Sequence, residues 1–194
     1  MYVSIDIETL GLNSESCDTI EFGAVLDDLK SPIDSLPIFH CYLVKDNYRG
    51  EPYAMSMHAK KLEIIAARTL GYNYLEPLHL DAEFASWLKS HGVAEVEKPQ
   101  GGATLKISVA GKNFATFDMA FLNKIPNWGT SISIKRRIID PAVLYFDPKT
   151  MEELPDLESC LAIAGIQKQV THNAVDDALD VVKCLRYKWN ISNS

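Results

Sequence analysis

Asp6 and Glu8 stand two residues apart in a stretch that alternates, with Val3, Ile5 and Ile7 on one side and Ser4, Asp6 and Glu8 on the other. A period of two predicts a β-strand over residues 1–7. On a strand both carboxylates leave the same face, their Cα atoms about 6.7 Å apart. Aspartate is disfavoured in strands, and two neighbouring carboxylates repel unless a cation lies between them. A hard divalent ion such as Mg²⁺ is suited to that place because it prefers carboxylate oxygens. A solvated strand face accounts for the same dipeptide spacing. Gly11 follows closely and would let another stretch of backbone approach.

Two further places carry acidic or basic groups with chemical potential. Asp118 lies in NFATFDMAFL, near the start of a short predicted helix (residues 117–122) with Phe117, Ala120 and Phe121 as its apolar side. A carboxylate there is favoured by the helix dipole, and that alone would explain it. The segment HNAVDDALDVVKCLRYKW, residues 172–189, has Val175, Ala178, Val182, Leu185 and Trp189 as a core stripe. At about 100° per residue, Asp177 lies about 110° from the stripe centre and Asp176 about 150°. Asp177 is therefore expected to be half-buried, and Asp176 and Asp180 to be surface charges. His172 precedes this helix, where a histidine is ordinarily a loop or capping residue.

These groups need elements to hold them. Residues 19–26 (TIEFGAVL) and 38–44 (IFHCYLV) read as second and third strands, joined to the first by short connections as in an antiparallel meander. Helical patterns follow at residues 59–69 and 82–91, the second with Asp81 as its cap. Residues 104–110 read as a fourth strand. Residues 136–139 read as a fifth, stopped by Asp140-Pro141. Helices are expected over 157–164 and 174–189. Strands first and helices interleaved later predict an α/β fold with a mixed sheet. The 194 residues suit a single domain, 1–194.

Composition narrows the function classes. Hydrophobic residues make up 47% and charged residues 23%, as in a soluble globule. The net charge of −7 argues against coating long duplex nucleic acid through many phosphate contacts. It leaves room for a local basic groove or for cations that offset the carboxylates. Cys17, Cys41, Cys160 and Cys184 are scattered with no CxxC pair and read as reduced, packed thiols, which suits the cytoplasm. No apolar run is long enough for a membrane span, so no membrane partner is expected.

Taken together, the order and spacing of these motifs resemble the DEDDh exonucleases, the superfamily of proofreading exonuclease domains, ribonuclease T and oligoribonuclease, over nearly the whole chain. Asp6-Ile7-Glu8 matches the DxE motif, Asp118 in GKNFATFDMAFL the second, and His172 with Asp177 the third, HxxxxD. IEFGAV, PYAMSMH and LPDLESCLAIAGI resemble other family stretches. Leu10 stands where many relatives have Thr or Ser. The resemblance implies a ribonuclease H-like fold, with a five-stranded mixed sheet of three antiparallel and then two parallel strands flanked by helices. It implies a metal-dependent 3′→5′ exonuclease that releases nucleoside 5′-monophosphates from single-stranded DNA or RNA. Asp6, Glu8, Asp118 and Asp177 would hold two Mg²⁺ or Mn²⁺ ions about 3.5–4 Å apart, and His172 would be the general base.

For substrate contact, the resemblance points to Thr9, Leu10, Gly11, Leu12, His58, Asn113 and Phe117, with Leu12 wedged between the last two bases. Lys106, Lys112, Arg136 and Arg137 are further candidates for local positive charge. The expected partner is single-stranded nucleic acid with a free 3′ end. Because no polymerase accompanies the nuclease, a second copy or a polymerase in trans is left open. The alternative is a catalytically silent nucleic-acid-binding or interaction module on the same fold. A serine-nucleophile hydrolase is disfavoured, since the chain has no GxSxG elbow.

Overall fold

The computed structural model describes residues 1–167 and 171–191. The alternating N-terminal stretch is strand β1 (Tyr2–Thr9), followed by β2 (Thr19–Asp27) and β3 (Ile38–Leu43). The polypeptide then forms α1 (Pro52–Met57), α2 (Ala59–Ala67), β4 (Tyr74–Leu75) and α3 (Leu80–Ser90). After β5 (Glu95–Glu97), β6 (Ala103–Ile107) and β7 (Val109–Ala110) come α4 (Asp118–Leu122), β8 (Ile132–Ile134) and α5 (Pro141–Tyr145). Helices α6 (Leu157–Ile163) and α7 (Ala174–Lys188) end the described elements.

The main sheet is five-stranded and mixed, in the order β4-β3-β2-β1-β7. Its centre is the antiparallel meander, with Asp6 opposite Gly23 and Glu8 opposite Glu21. β7 lies parallel to β1 and β4 parallel to β3. Val3, Ile5 and Ile7 pack with Phe22, Phe84, Leu88 and Phe121 on one side of the sheet. Tyr2 and Val25 pack on the other side with Leu161, Ala178, Val182 and Leu185. The sequence pattern dictates this division, because a strand buried on two sides can be apolar throughout and still expose alternate residues to different layers.

Four local expectations need correction. The strand foreseen at 104–110 breaks at Ser108: β6 joins β5 and β8 in a second, three-stranded sheet, and only β7 joins the main one. Residues 136–139 do not form a strand. Ile139 contributes a single bridge to Ala110, and Asp140 immediately caps α5 by accepting the Ala142 N–H. Asp81 does not cap a helix. It lies within the first turn of α3 and accepts from the Gly129 and Ser131 N–H groups and the Thr130 hydroxyl, tying down the 129–131 turn.

Asp180 is fully buried and 2.7 Å from Lys183 Nζ. A single solvent-facing side is wrong for α7, because it is covered by the sheet on one side and by α5 and α6 on another. Arg186 is likewise buried and forms a bidentate pair with Asp27, at 2.6 and 3.0 Å. All four cysteines are buried and free of disulfides. Among the described residues no helix is long and apolar enough to cross a membrane.

Candidate active site

β1 brings the first two carboxylates to the site by strand periodicity, and the sheet edge supplies the opening for the third. β7 pairs with β1 only at Val3 and Ser4. Beyond that point the Asp118 carboxylate, on the first residue of α4, approaches the backbone N–H of Ile7, which favours its charged form. Asn113 shapes the approach to that helix. It adopts a left-handed φ of 58°, which asparagine tolerates better than most residues. Its N–H donates to Asp140 Oδ2 at 2.9 Å, and its carbonyl accepts from the Thr116 and Phe117 N–H groups.

The fourth carboxylate comes from α7. Asn173 caps this helix by accepting the Asp176 N–H, and Asp177 sits in its first turn, buried. Gly23 explains how the helix start comes so close to the sheet. A Cβ at Gly23 would lie 2.4 Å from the Ala174 carbonyl carbon and 2.5 Å from the Val175 nitrogen, so no other residue fits. Since Gly23 pairs with Asp6, this contact delivers Asp177 to the metal-candidate strand. Ligand atoms of Glu8, His172 and Asp177 lie within 4.8 Å of one another, with Glu8 and Asp177 buried and His172 exposed.

The electrostatics are those of crowded acids. Burial raises the Asp6 carboxyl well above its ordinary range, and the charges of Asp118, Glu8, Asp177 and Glu21 raise it further. Burial lifts Asp118 to about 7, against the lowering effect of backbone N–H bonds. Burial lifts Glu8 to about 7, against the lowering charge of Lys61. Glu8 Oε1 is buried and accepts no hydrogen bond, its nearby cation being Lys61 Nζ at 3.4 Å. Hard oxygen donors, mutual repulsion and an orphaned buried oxygen fit a divalent cation.

Three residues of the site went unnoticed in the sequence. Glu21 is fully buried opposite Glu8 and contacts His40 Nε2 (2.7 Å), Lys61 Nζ and Asn173 Nδ2 (3.3 Å). Burial pushes its carboxyl up, but the His40 hydrogen bond and the Lys61 charge outweigh that and hold it low. The available signal was a glutamate inside the otherwise apolar run TIEFGAVL. Lys61 and His40 gave no sequence signal, because only the strand register and the course of α2 place them here.

The expected substrate residues separate into two groups. Leu12 is 79% exposed, on a loop in which Gly11 has no room for a Cβ beside Cys17 and Glu51. Leu10 is corrected: its side chain is fully buried with Ile20, Tyr42 and Ile65, and its N–H and carbonyl bond to Asp18 and Glu51. Thr9 is buried and donates its hydroxyl to the Gly11 carbonyl, which braces the loop from within. His58 reaches the site as a neighbour of Glu8 rather than of open space. Its ring is buried with Nε2 3.3 Å from Glu8 Oε2, and burial lowers it to about 4.

Phe117 is half-buried against Phe121, ring centres 5.1 Å apart. Arg136, Arg137 and Lys106 are exposed, whereas Lys112 is half-buried with its ammonium 2.7 Å from Asn113 Oδ1. A separate cavity of about 510 Å³, lined in part by Leu43, Lys45, Arg49 and Lys124, includes none of the five motif residues.

No family model matches the chain, and no curated protein matches it. Solved structures do. E. coli Exonuclease I in complex with a dT13 oligonucleotide superposes with a TM-score of 0.59 at 18% identity, over 97% of this chain and 41% of that one. The complex with dA16 gives 0.59 at 17%, over the same shares. Exonuclease I without ligand gives 0.61 at 15%, over 98% and 42%. The fold is that of Exonuclease I. This chain spans about two fifths of the length of those exonucleases. With this, the ribonuclease H-like architecture implied by the sequence motifs stands.

Proposed function

We propose that this protein is a metal-dependent 3′→5′ exonuclease acting on single-stranded nucleic acid with a free 3′ end. The observation that supports the reading is that Glu8, Asp177 and His172 bring ligand atoms within 4.8 Å of one another, while Asp6 feels the charges of Asp118, Glu8 and Asp177. The shared fold with Exonuclease I, seen there with dT13 and dA16 oligonucleotides, supports it.

The four carboxylates would hold two Mg²⁺ or Mn²⁺ ions, as the crowding and the orphaned Glu8 oxygen favour. Bound ions would supply Lewis acidity and an acidified water. The remaining work belongs to the chain. Leu12, projecting from a braced loop, separates the last two bases. His172 accepts the proton of the attacking water on an imidazole nitrogen and passes it to solvent. The water oxygen bonds to the terminal phosphorus as the bond to the penultimate 3′-oxygen breaks and that oxygen takes a proton from solvent, leaving a new 3′-hydroxyl and releasing a nucleoside 5′-monophosphate.

Matched DNA and RNA oligomers, labelled separately at each end, test this in Mg²⁺, Mn²⁺ and EDTA. Stepwise loss from the 3′ end that stops in EDTA and returns with metal is expected. Binding without turnover under any metal would instead support a catalytically silent module. Cleavage undiminished by EDTA would remove the metal mechanism.

A further inference from the structure

The third motif sits on a turn that is awkward to hold. His172 has φ 49°, a left-handed conformation that costs a non-glycine residue free energy. Its side chain is exposed, so packing of the imidazole does not fix it. What reaches the turn is Lys61, from α2. Its ammonium contacts the His172 carbonyl, Glu21 Oε2 and Glu8 Oε1, the last at 3.4 Å. Two of these, the His172 carbonyl and Glu21 Oε2, accept hydrogen bonds from the ammonium, and Glu8 Oε1 adds a longer ion-pair contact. The next residue, Asn173, is tied to the same Glu21 through its side-chain amide at 3.3 Å. Glu21 is itself fully buried and lies directly across the sheet from Glu8. One buried carboxylate therefore anchors, directly and through one lysine, the two consecutive residues that set the direction of the general base.

We infer that Lys61, held by Glu21, is a positioning residue that fixes the His172 turn over the carboxylates of β1. This rests on the exonuclease reading above. A lysine that served only as counter-ion to Glu8 and Glu21 would need no contact with the His172 carbonyl. The added contact makes the placement of the imidazole depend on the ammonium.

The test is a double-mutant cycle on a single-stranded oligomer in Mg²⁺, with Lys61→Met, His172→Ala and the double variant. Lys61→Met is expected to lower kcat about 10- to 100-fold, the loss from a hydrogen bond to a charged group, while KM stays within about two-fold. In the His172→Ala background the same change is expected to cost less than about three-fold, because residues acting through one another are non-additive. In Lys61→Ala, which vacates the side-chain space, ethylammonium should restore part of the kcat, and it should restore none of that of His172→Ala.

A full Lys61→Met loss persisting in the His172→Ala background would overturn the inference, since Lys61 would then act on its own. A rise in KM alone would overturn it as well. If Lys61→Met does not fold, Lys61→Arg, which keeps the charge but cannot place a single nitrogen on both the His172 carbonyl and Glu21, is carried through the same cycle with the same criteria. An inactive wild type would overturn the exonuclease reading and this inference together. An active wild type with additive variants would overturn this inference alone.

Discussion

The carboxylates that would hold metal burden the metal-free protein, and Asp118→Asn measures by how much. Asp118 is raised from 3.8 to about 7 by burial. Between those values the folded protein keeps a proton that the unfolded chain has lost. The contribution of Asp118 to stability is therefore most favourable below about pH 4 and falls as pH rises through the window to about 7. A shift of about 3 units at 1.36 kcal/mol each sets a ceiling of about 4 kcal/mol. Asp118 and Asp6 repel one another and titrate together, so about 2 kcal/mol is the working figure for one of them.

Glu8 and His58 do not disturb the sign. Glu8 is raised from 4.5 to about 7, and His58, 3.3 Å away, is lowered from 6.5 to about 4. The two shifts oppose one another and nearly cancel. Glu21 and Asp18 are held low, so their stabilisation is present above the ordinary carboxylate range and lost only on acidification below it, outside this window.

The assay is thermal unfolding in EDTA from pH 5 to 8 for the wild type and for Asp118→Asn. The comparison cancels the histidines that both proteins share. For a chain of this size about 2 kcal/mol corresponds to a gain of about 4–8 °C for the variant at pH 8. The gap should narrow as pH falls toward 5. Mg²⁺ or Mn²⁺ should raise the wild-type midpoint at pH 8 and leave Asp118→Asn nearly unmoved. A variant less stable than the wild type in EDTA at pH 8 would refute the reasoning. It would mean that the Ile7 N–H contact outweighs the crowding.

Three further substitutions probe the geometry. Asp177→Asn should abolish turnover and the metal-induced rise in midpoint, whereas Asp176→Asn should change either little, since Asp176 bonds the Thr171 hydroxyl away from the cluster; the reverse pattern in paired kinetics and melting curves would reassign the third motif. Leu12→Ala should lower kcat/KM on single strands about ten-fold with an unchanged thermal midpoint, because the side chain is 79% exposed and packs no core; native activity, or a lowered midpoint, would defeat the wedge.

Local periodicity carried the readings of Asp6, Glu8 and Asp177, whereas Asp118 was reached only through the resemblance. Alternation placed Asp6 and Glu8 on one side of β1, and helical phase picked Asp177 over Asp176. The same phase argument failed at Asp180, because it assumes that a helix buries one stripe. α7 is covered from more than one side, and its charged residues there are buried with partners. Glu21 was hidden because its meaning depends on strand register, which sets it opposite Glu8. Leu10 was named from the resemblance alone; β1 and β2 lose their register after Glu8, and its side chain is turned into the core with Ile20 and Tyr42.

The relation between β2 and α7 explains why a cluster of repelling acids stays assembled. At its start α7 is joined to β2 by Asn173 and Glu21, and the missing side chain of Gly23 lets the two backbones nearly touch. Near its end the buried Arg186 grips Asp27 with two hydrogen bonds, and Tyr2 donates a third to the same carboxylate. From Glu21 to Asp27 the strand advances about 20 Å at about 3.4 Å per residue. From Asn173 to Arg186 the helix advances about 20 Å at 1.5 Å per residue. Strand and helix run in the same direction with matching lengths, so both attachments are made without bending either. Asp177 is held between these two fixed points. Its repulsion from Asp6 and Glu8 cannot be relieved by letting the helix slide, only by protonation or by a cation.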